Sequence, residues 1–598
     1  MRLPFSYYSN VSASNLQNLN NETVMFLDSS GCLHLPQKEV LDMFVNHYFL
    51  YMHHTIPIVD EADFGAAYWN RVSSRPDVSL LLLKALMCAT CNFLPIDAIR
   101  QCGYDSYGQA REALYREAKL LYDFQIERDP FIVCQAALLL SFHATKQDQL
   151  SNSTWLAVAT QRAISLNAHR YSSSKSKLSE KEREALKRLW WCCILRDRVI
   201  SMGARRPMQI STLQFDFSQD RITMDDLEPE VAISKVFDTD SKIILCNLVT
   251  VQCDLATSLS GLSSLFYSGS GRSSELSNQE DNSTNVLEVL ETAKAPLDNW
   301  ARASLPRLES LAKSDRQPIS LYATSLLLHY HNVRIAICNY HGYLLSSHLR
   351  LPEKVHRTHL QNRHSELTDA VDAITECFKH LVQNNSAEYL SLSTLSTVDI
   401  PFMLMSLNKR LRNSSSLGKG NALRCFATIL RIRDVRFDMG HIKLYMMKAM
   451  REFKLRDSIS NLTSGDDDIR PSDLCSLVSA HDQFLSTGKQ DQALSPVTST
   501  QKQKTSNSQA AVGPISRENI SDNSQQPQQP QAILQDPLRE TERYNTSADY
   551  DIDQLLNFPE VDDWWYMLQD LGQLDFSSEN FPSMLPSDEV YLFSEQDY

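Results

Sequence analysis

The stretch WWCCILRDRVISMGARRPMQI, residues 190–210, holds two indoles, two thiols, four arginines and one aspartate. Arg196, Asp197 and Arg198 follow Trp190 and Trp191 by about one and a half turns, and Arg205 and Arg206 stand just past Gly203. Such a cluster can hold a phosphate or metabolite, or it can form ion pairs around a helix end, where the dipole and the last carbonyls favour cations. Gly203 marks the expected helix end, and Pro207 lies shortly beyond it. Nothing Gly-rich precedes a helix here to cradle an anion, so a structural ion-pair network is the preferred reading.

The remaining reactive side chains form weaker patterns. Cys88-Ala-Thr-Cys91 has zinc-ligand spacing, but the next cysteines are Cys102 and Cys134 and no second C-x-x-C exists. Tetrahedral zinc needs four convergent ligands, and both thiols fall in an apolar helix, so they read as buried small hydrophobes. His47, His53 and His54, and the pair His329 and His331, match no H-E-x-x-H spacing and read as packing residues. Asp225-Asp226 and Asp466–Asp468 evoke the acid clusters of helical isoprenoid enzymes, but they stand beside Pro229 and Pro471 in expected loops. The lysines between 175 and 187 alternate with Glu180, Glu182 and Glu184, the pattern of a solvated helix face. No nucleophile–base pair, phosphate loop or metal constellation emerges; no catalytic residue is assigned, and no cofactor is expected.

The elements that must position these residues are helical. The chain has 598 residues, 42% of them apolar, and only 16 glycines; no alternating pattern is long enough for a sheet, so the fold class is all-α. Residues 1–37 read as a loosely docked N-terminal arm. Helices are expected near 38–56, 78–94, 107–126, 130–146, 155–166 and 179–203, and again at 286–302, 319–346, 366–383 and 420–456. Ser179-x-x-Glu182 is a capping box, Asp129-Pro130 an N-cap followed by proline at the first helical position, and Asn167 a left-handed helix end. The helical domain is bounded at 38–485 and interrupted by a Ser/Gly/Asn-rich loop insertion at 262–285. A Ser/Gln/Pro-rich linker at 486–548 cannot build a core and reads as disordered. Thirteen singly spread cysteines fit a reducing compartment. No leader follows Met1, and apolar runs such as 81–94 contain Lys84 and fall short of a span, so no membrane contact is expected.

The run at 190–210 resembles the signature of the fungal-specific transcription factor domain, the middle homology region of zinc binuclear cluster regulators. It is nearest to the branch of the cutinase transcription factors. HYFLYMHHTIPIVDEADF (47–64), ATQRAISLNAHR (159–170) and LLLHYHNVRIAIC (326–338) extend the resemblance over about 38–455, although Asn167 and Ala168 depart from the family's Gly-Leu. The resemblance implies an all-helical regulatory domain, a nuclear location and control of RNA polymerase II genes, including metabolic or biosynthetic clusters. Such regulators carry a six-cysteine zinc cluster near the N-terminus, whereas here only Cys32 precedes Cys88. Zinc is therefore expected only if such a cluster is encoded upstream, and DNA contact is expected to be indirect, through a homo- or heterodimer with a related regulator.

Residues 549–598 complete the expectation. They hold thirteen acids and no Lys or Arg, which leaves the rest of a chain of net charge −14 at only −1. Phe558, Trp564, Trp565, Tyr566, Leu568, Leu571 and Phe576 alternate with those acids. Like-charge repulsion keeps such rings apart until a partner groove buries them, and this composition is that of an acidic activation segment recruiting a coactivator. Docking of the tail on its own domain is the alternative. The expected function is a transcription activator; a repressor that captures related regulators as dimers is the second reading, and a helical enzyme using the aspartates the third.

Overall fold

Apolar residues spaced three and four apart fold as helices throughout the computed structural model. It describes residues 2–485 apart from 70–76, 146–147, 174–177, 268–282, 348–350, 408–417, 462–476 and 479. All of these lie within one compact unit, Met1–Asp491; the second unit, Gln492–Tyr598, is outside the described residues. The expected linker at 486–548 and tail at 549–598 therefore lie outside them, as do residues 268–282 of the insertion. The flanks of that insertion are helical, not loop: 262–267 end one helix and 283–285 begin the next.

The chain is all-α. In the N-terminal half the helices are α1 (Asn21–Ser29), α2 (Lys38–Tyr51), α3 (Glu61–Tyr68), α4 (Leu80–Thr90), α5 (Ile96–Gln101) and α6 (Tyr107–Asp123). They continue as α7 (Pro130–Leu140), α8 (Ser151–Ser165), α9 (Glu180–Ala204), α10 (Glu228–Val231), α11 (Thr239–Ser258) and α12 (Ser260–Tyr267). Longer helices follow at Ser283–Ala312, Gln317–Ser347 and Glu353–Gln383, and the stretch read as one helix at 420–456 is two, Gly418–Phe437 and Gly440–Asn461. The break falls at Asp438, whose φ of 55° is left-handed. The expected stop and start signals act as read: Ser179 and Glu182 close the capping box, Asp129 caps α7 ahead of Pro130, and Asn167 takes φ 57° after α8.

Helix α11 divides the buried interior. Cys246, Val249, Cys253 and Ala256 enter the core built by the N-terminal helices. Leu245, Leu248 and Leu255 face the other way, into a core shared with Trp300, Tyr322, Leu326 and Val333. Thr239–Leu262 is also long and apolar enough to cross a membrane, which the reading of the apolar runs passed over; 56% of its apolar window is buried inside the fold.

Residues 1–37 are not loosely docked. Strand β1 (Arg2–Pro4) pairs antiparallel with β3 (His34–Pro36), and β2 (Val11–Ser12) pairs parallel with β4 (Val78–Ser79). Leu27, Cys32 and Leu35 are wholly buried. The anchor is ionic: Glu117 Oε2 on α6 accepts from Lys84 Nζ at 2.5 Å and from Arg2 Nη2 at 2.6 Å, and Lys84 also donates to the carbonyls of Gly31 and His34. Composition misled here, because a Ser/Asn-rich segment can still be tied down by its few apolar residues and one arginine.

Breaking a buried pair leaves an uncompensated charge, which costs about 3–5 kcal/mol. Glu117→Gln is therefore expected to lower the urea unfolding free energy by about that amount, and Arg2→Ala, at a side chain 22% exposed, by less. Equal losses in the two variants would contradict the shared-carboxylate account.

Candidate functional site

The signature helix α9 is buried along most of its second half. Trp191 is wholly buried, and its indole Nε1 donates to Tyr171 Oη and to the Asp220 carbonyl, each at 3.2 Å. Trp190 packs against His169 and Phe215, with ring centroids 5.7 Å away in each case. About two turns beyond Trp190, Asp197 organises the loop that follows the helix: it accepts from the amides of Gln209 at 2.9 Å and Ile210 at 3.1 Å, and from Arg198 Nη1 at 2.7 Å. Arg198 also donates to the carbonyls of Ile210 and Ala256, joining α9 to α11. Arg196 points away from both, donating through Nε and Nη2 to Ser141 Oγ and O, with its guanidinium 3.8 Å above the Phe142 ring. No acid offsets its burial, which pulls its pKa down to about 9.

The helix end differs from the reading in one respect. Gly203 lies inside the helix with open space where a Cβ would stand, and the left-handed residue is Arg205 at φ 54°. Arg205 tolerates that backbone because its side chain is fixed: Nε bonds Asp482 at 2.8 Å, Nη2 bonds Asn332 at 3.1 Å, and Nη1 donates to the Met202 carbonyl. Arg206 donates to Asn152 and Ser153 and to the Gln149 carbonyl, and Pro207 is exposed beyond it. These arginines bind surrounding structure together. That is the ion-pair network expected of Arg198 and Arg205, with Arg196 as the exception.

A second constellation went unread in the sequence. Glu230, on α10, is wholly buried, and its carboxylate is shared by three basic side chains. Oε2 meets His53 Nε2 at 2.8 Å and Lys242 Nζ at 3.0 Å, while Oε1 accepts from Arg188 Nη1 and from the Glu61 amide at 3.3 Å. Lys242 also bonds Glu61, and its Nζ lies 3.4 Å from His54 Nε2. His53, Glu61 and Glu230 bring their ligand atoms within 4.8 Å of one another, close enough to hold a metal. Lys242 Nζ already bonds both carboxylates, and with Arg188 it matches their two charges, so a dication would leave an excess of two in a dry interior. The group is a charge-balanced clamp. Burial would raise the Glu230 pKa, but Arg188, His53 and Lys242 together hold it well below its ordinary value. Burial and Lys242 push His54 well below its own. The signal was present in the sequence: a lone lysine inside an apolar helix, Lys242 in α11 or Lys84 in α4, calls for a buried carboxylate.

Other expected residues take structural places. Cys88 and Cys91 are buried, and burial raises both thiols, Cys91 to about 12. Of His47, His53, His54, His329 and His331, His53 joins the group above and His54 borders it through Lys242. Asp226 sits in a turn, where it bonds Lys187 at 2.7 Å and the Thr223 amide at 2.7 Å; Asp466–Asp468 and the tail residues Phe558, Trp564, Trp565, Tyr566, Leu568, Leu571 and Phe576 lie outside the described residues.

Residues 45–302 match the fungal specific transcription factor domain. The chain is similar to cutinase transcription factor 1 beta of Fusarium vanettenii, 27% identical over 69% of this chain and 49% of that protein. It is similar to the acetamidase regulatory protein of Aspergillus fumigatus, 27% identical over 66% of this chain and 46% of that one. It also resembles the transcription factor cpaR of Aspergillus oryzae, 31% identical over 32% of this chain and 31% of its relative. The chain thus spans about half the length of the first two. No solved structure matches it.

His54 and Glu230 contribute to the acid response, together with His143, His329, His331 and His341, whose pKa values burial also lowers. His54 has its pKa depressed, so the unfolded chain takes up its proton first, and stability is lost as pH falls below about 6.5. The Glu230 contribution is present above about 4.5 and is lost as pH falls further. Unfolding free energy is expected to decline below pH 6.5 and more steeply below 4.5. His54→Gln should reduce the slope between them by up to about 1.4 kcal/mol per pH unit. A profile identical to that of the unsubstituted protein would exclude His54 as a contributor.

Proposed function

We propose that the chain regulates transcription of RNA polymerase II genes in the nucleus of a fungus, as an activator. The carrying observation is the domain match over residues 45–302, whose most distinctive stretch is the tryptophan- and arginine-rich helix at its centre. The named relatives, a cutinase transcription factor and an acetamidase regulator, support control of metabolic genes. A non-enzymatic role is supported by Asp226, Glu61 and Glu230, each of which is engaged by a lysine or arginine.

In this proposal residues 549–598 recruit a coactivator. Thirteen acids keep Trp564, Trp565 and Phe576 solvated, and a hydrophobic groove on the partner then buries them, each contributing about 1.5–3 kcal/mol before ordering costs. The helical unit supplies the dimer contact through which a related regulator brings the chain to DNA.

Fusing residues 549–598 to a heterologous DNA-binding domain is expected to switch on a reporter. Replacing Trp564, Trp565 and Phe576 with Ala should remove most of that signal, while replacing acids with Asn should reduce it in proportion to the charge removed. A silent fusion, or one indifferent to loss of the rings, refutes the activation role. Transcripts that rise after gene deletion would point to the repressing reading.

A further inference from the structure

Four buried arginines in this fold meet a carboxylate. Arg188 meets Glu230, Arg198 meets Asp197, Arg205 meets Asp482 and Arg433 meets Asp399. Arg196 is 3% exposed and Arg111 5% exposed, and neither has a carboxylate partner among the described residues. Both line the same cavity, between α4, α6, the end of α7, the start of α8, α9 and the turn at 391–393, and none of its lining residues is acidic. Burying a guanidinium without an anion is expensive, and burying two beside one cavity needs a reason.

The free donors converge on that space. Arg196 uses Nε and Nη2 on Ser141 and keeps Nη1 free. Arg111 Nε has no partner, and its single bond is a long one of 3.5 Å to the Arg436 carbonyl. Asn152 spends its Oδ1 on Arg206 and Ser153 and leaves its amide nitrogen available. Ser393 also lines the cavity. His143 adds no charge, because burial and Arg111 hold its pKa near 3, and its ring is stacked on Tyr115 at 3.7 Å. The space open to the centre of a water molecule is about 30 Å³, roughly twice what one water needs. That is room for the head of an oxyanion and not for a nucleotide.

We infer that this cavity binds a small oxyanion, a phosphate or the carboxylate of a small acid, held by Arg111 and Arg196 with Asn152 and Ser393 completing its hydrogen bonds. The ligand supplies the counter-charge that the described residues lack there, and it ties α6, α8 and α9 to residues 391–393. The site is separate from the proposed activation role and does not depend on it.

The test uses the full chain in buffer free of oxyanions, with inorganic phosphate and acetate titrated separately against sodium chloride of equal ionic strength. Calorimetric binding and Tm are read together, since a ligand bound only by the folded state raises Tm in a saturable way. Phosphate or acetate is expected to bind and raise Tm beyond the chloride control, and whichever acts identifies the source of the anion. Arg111→Met should weaken that binding about tenfold or more, the loss expected for one charge-assisted contact. Asn152→Asp places a carboxylate in the cavity while keeping the acceptor for Arg206; it should raise Tm without added anion and abolish the response. A Tm rise matched by chloride, or a response unchanged in either folded variant, overturns the proposal. If Arg111→Met does not fold, Asn152→Asp decides alone.

Discussion

One buried carboxylate holds much of this molecule in register. Glu230 is reached by His53 from the end of α2, by the Glu61 amide at the start of α3, by Arg188 from α9 and by Lys242 from α11. Four other chain segments, one of them 177 residues from Glu230 in sequence, thus share its two oxygen atoms. A cluster of this kind adds little net stability over a hydrophobic replacement. Its effect is on specificity, because any other packing of these helices strands two cations and two anions in a dry interior. Glu117 acts in the same way on a smaller scale, fixing the N-terminal strands to α4 and α6.

Around this clamp the apolar interior is partitioned by α11. A helix that buries both faces cannot shift toward one core without leaving a gap in the other, and protein interiors do not tolerate voids. Arg198 reinforces the wall by bonding the Ala256 carbonyl near its C-terminal end. The signature helix and the wall helix are thereby one mechanical unit.

Much of the architecture was legible because it depends on local signals. The capping box at Ser179, the proline after Asp129 and the left-handed Asn167 each act within one turn, so sequence spacing alone reveals them. Gly203 misled because a glycine near a helix end is only a common occupant of the left-handed position. Here Arg205 takes it, fixed by Asp482, which is 277 residues away. Of the Glu230 group the sequence shows only a lone lysine, Lys242, in an apolar helix; its partners are brought together by tertiary packing. The loose reading of residues 1–37 failed because composition reports average polarity, while anchoring needs only Arg2, Leu27, Cys32 and Leu35. Of the candidate residues, the arginines of α9 were found through their density and their resemblance to a known family. The uncompensated state of Arg196 shows only once its neighbours are in place.

The twelve cysteines described are all unpaired, and eleven of them are buried. Thiols shielded in this way react only when the helices around them part, so the speed at which each one is alkylated becomes a clock for local opening. Cys193 in the signature helix, Cys246 in the dividing wall and Cys32 in the N-terminal segment sit in different parts of the interior. The native chain thus carries its own set of reporters, able to tell whether these parts loosen together or one at a time.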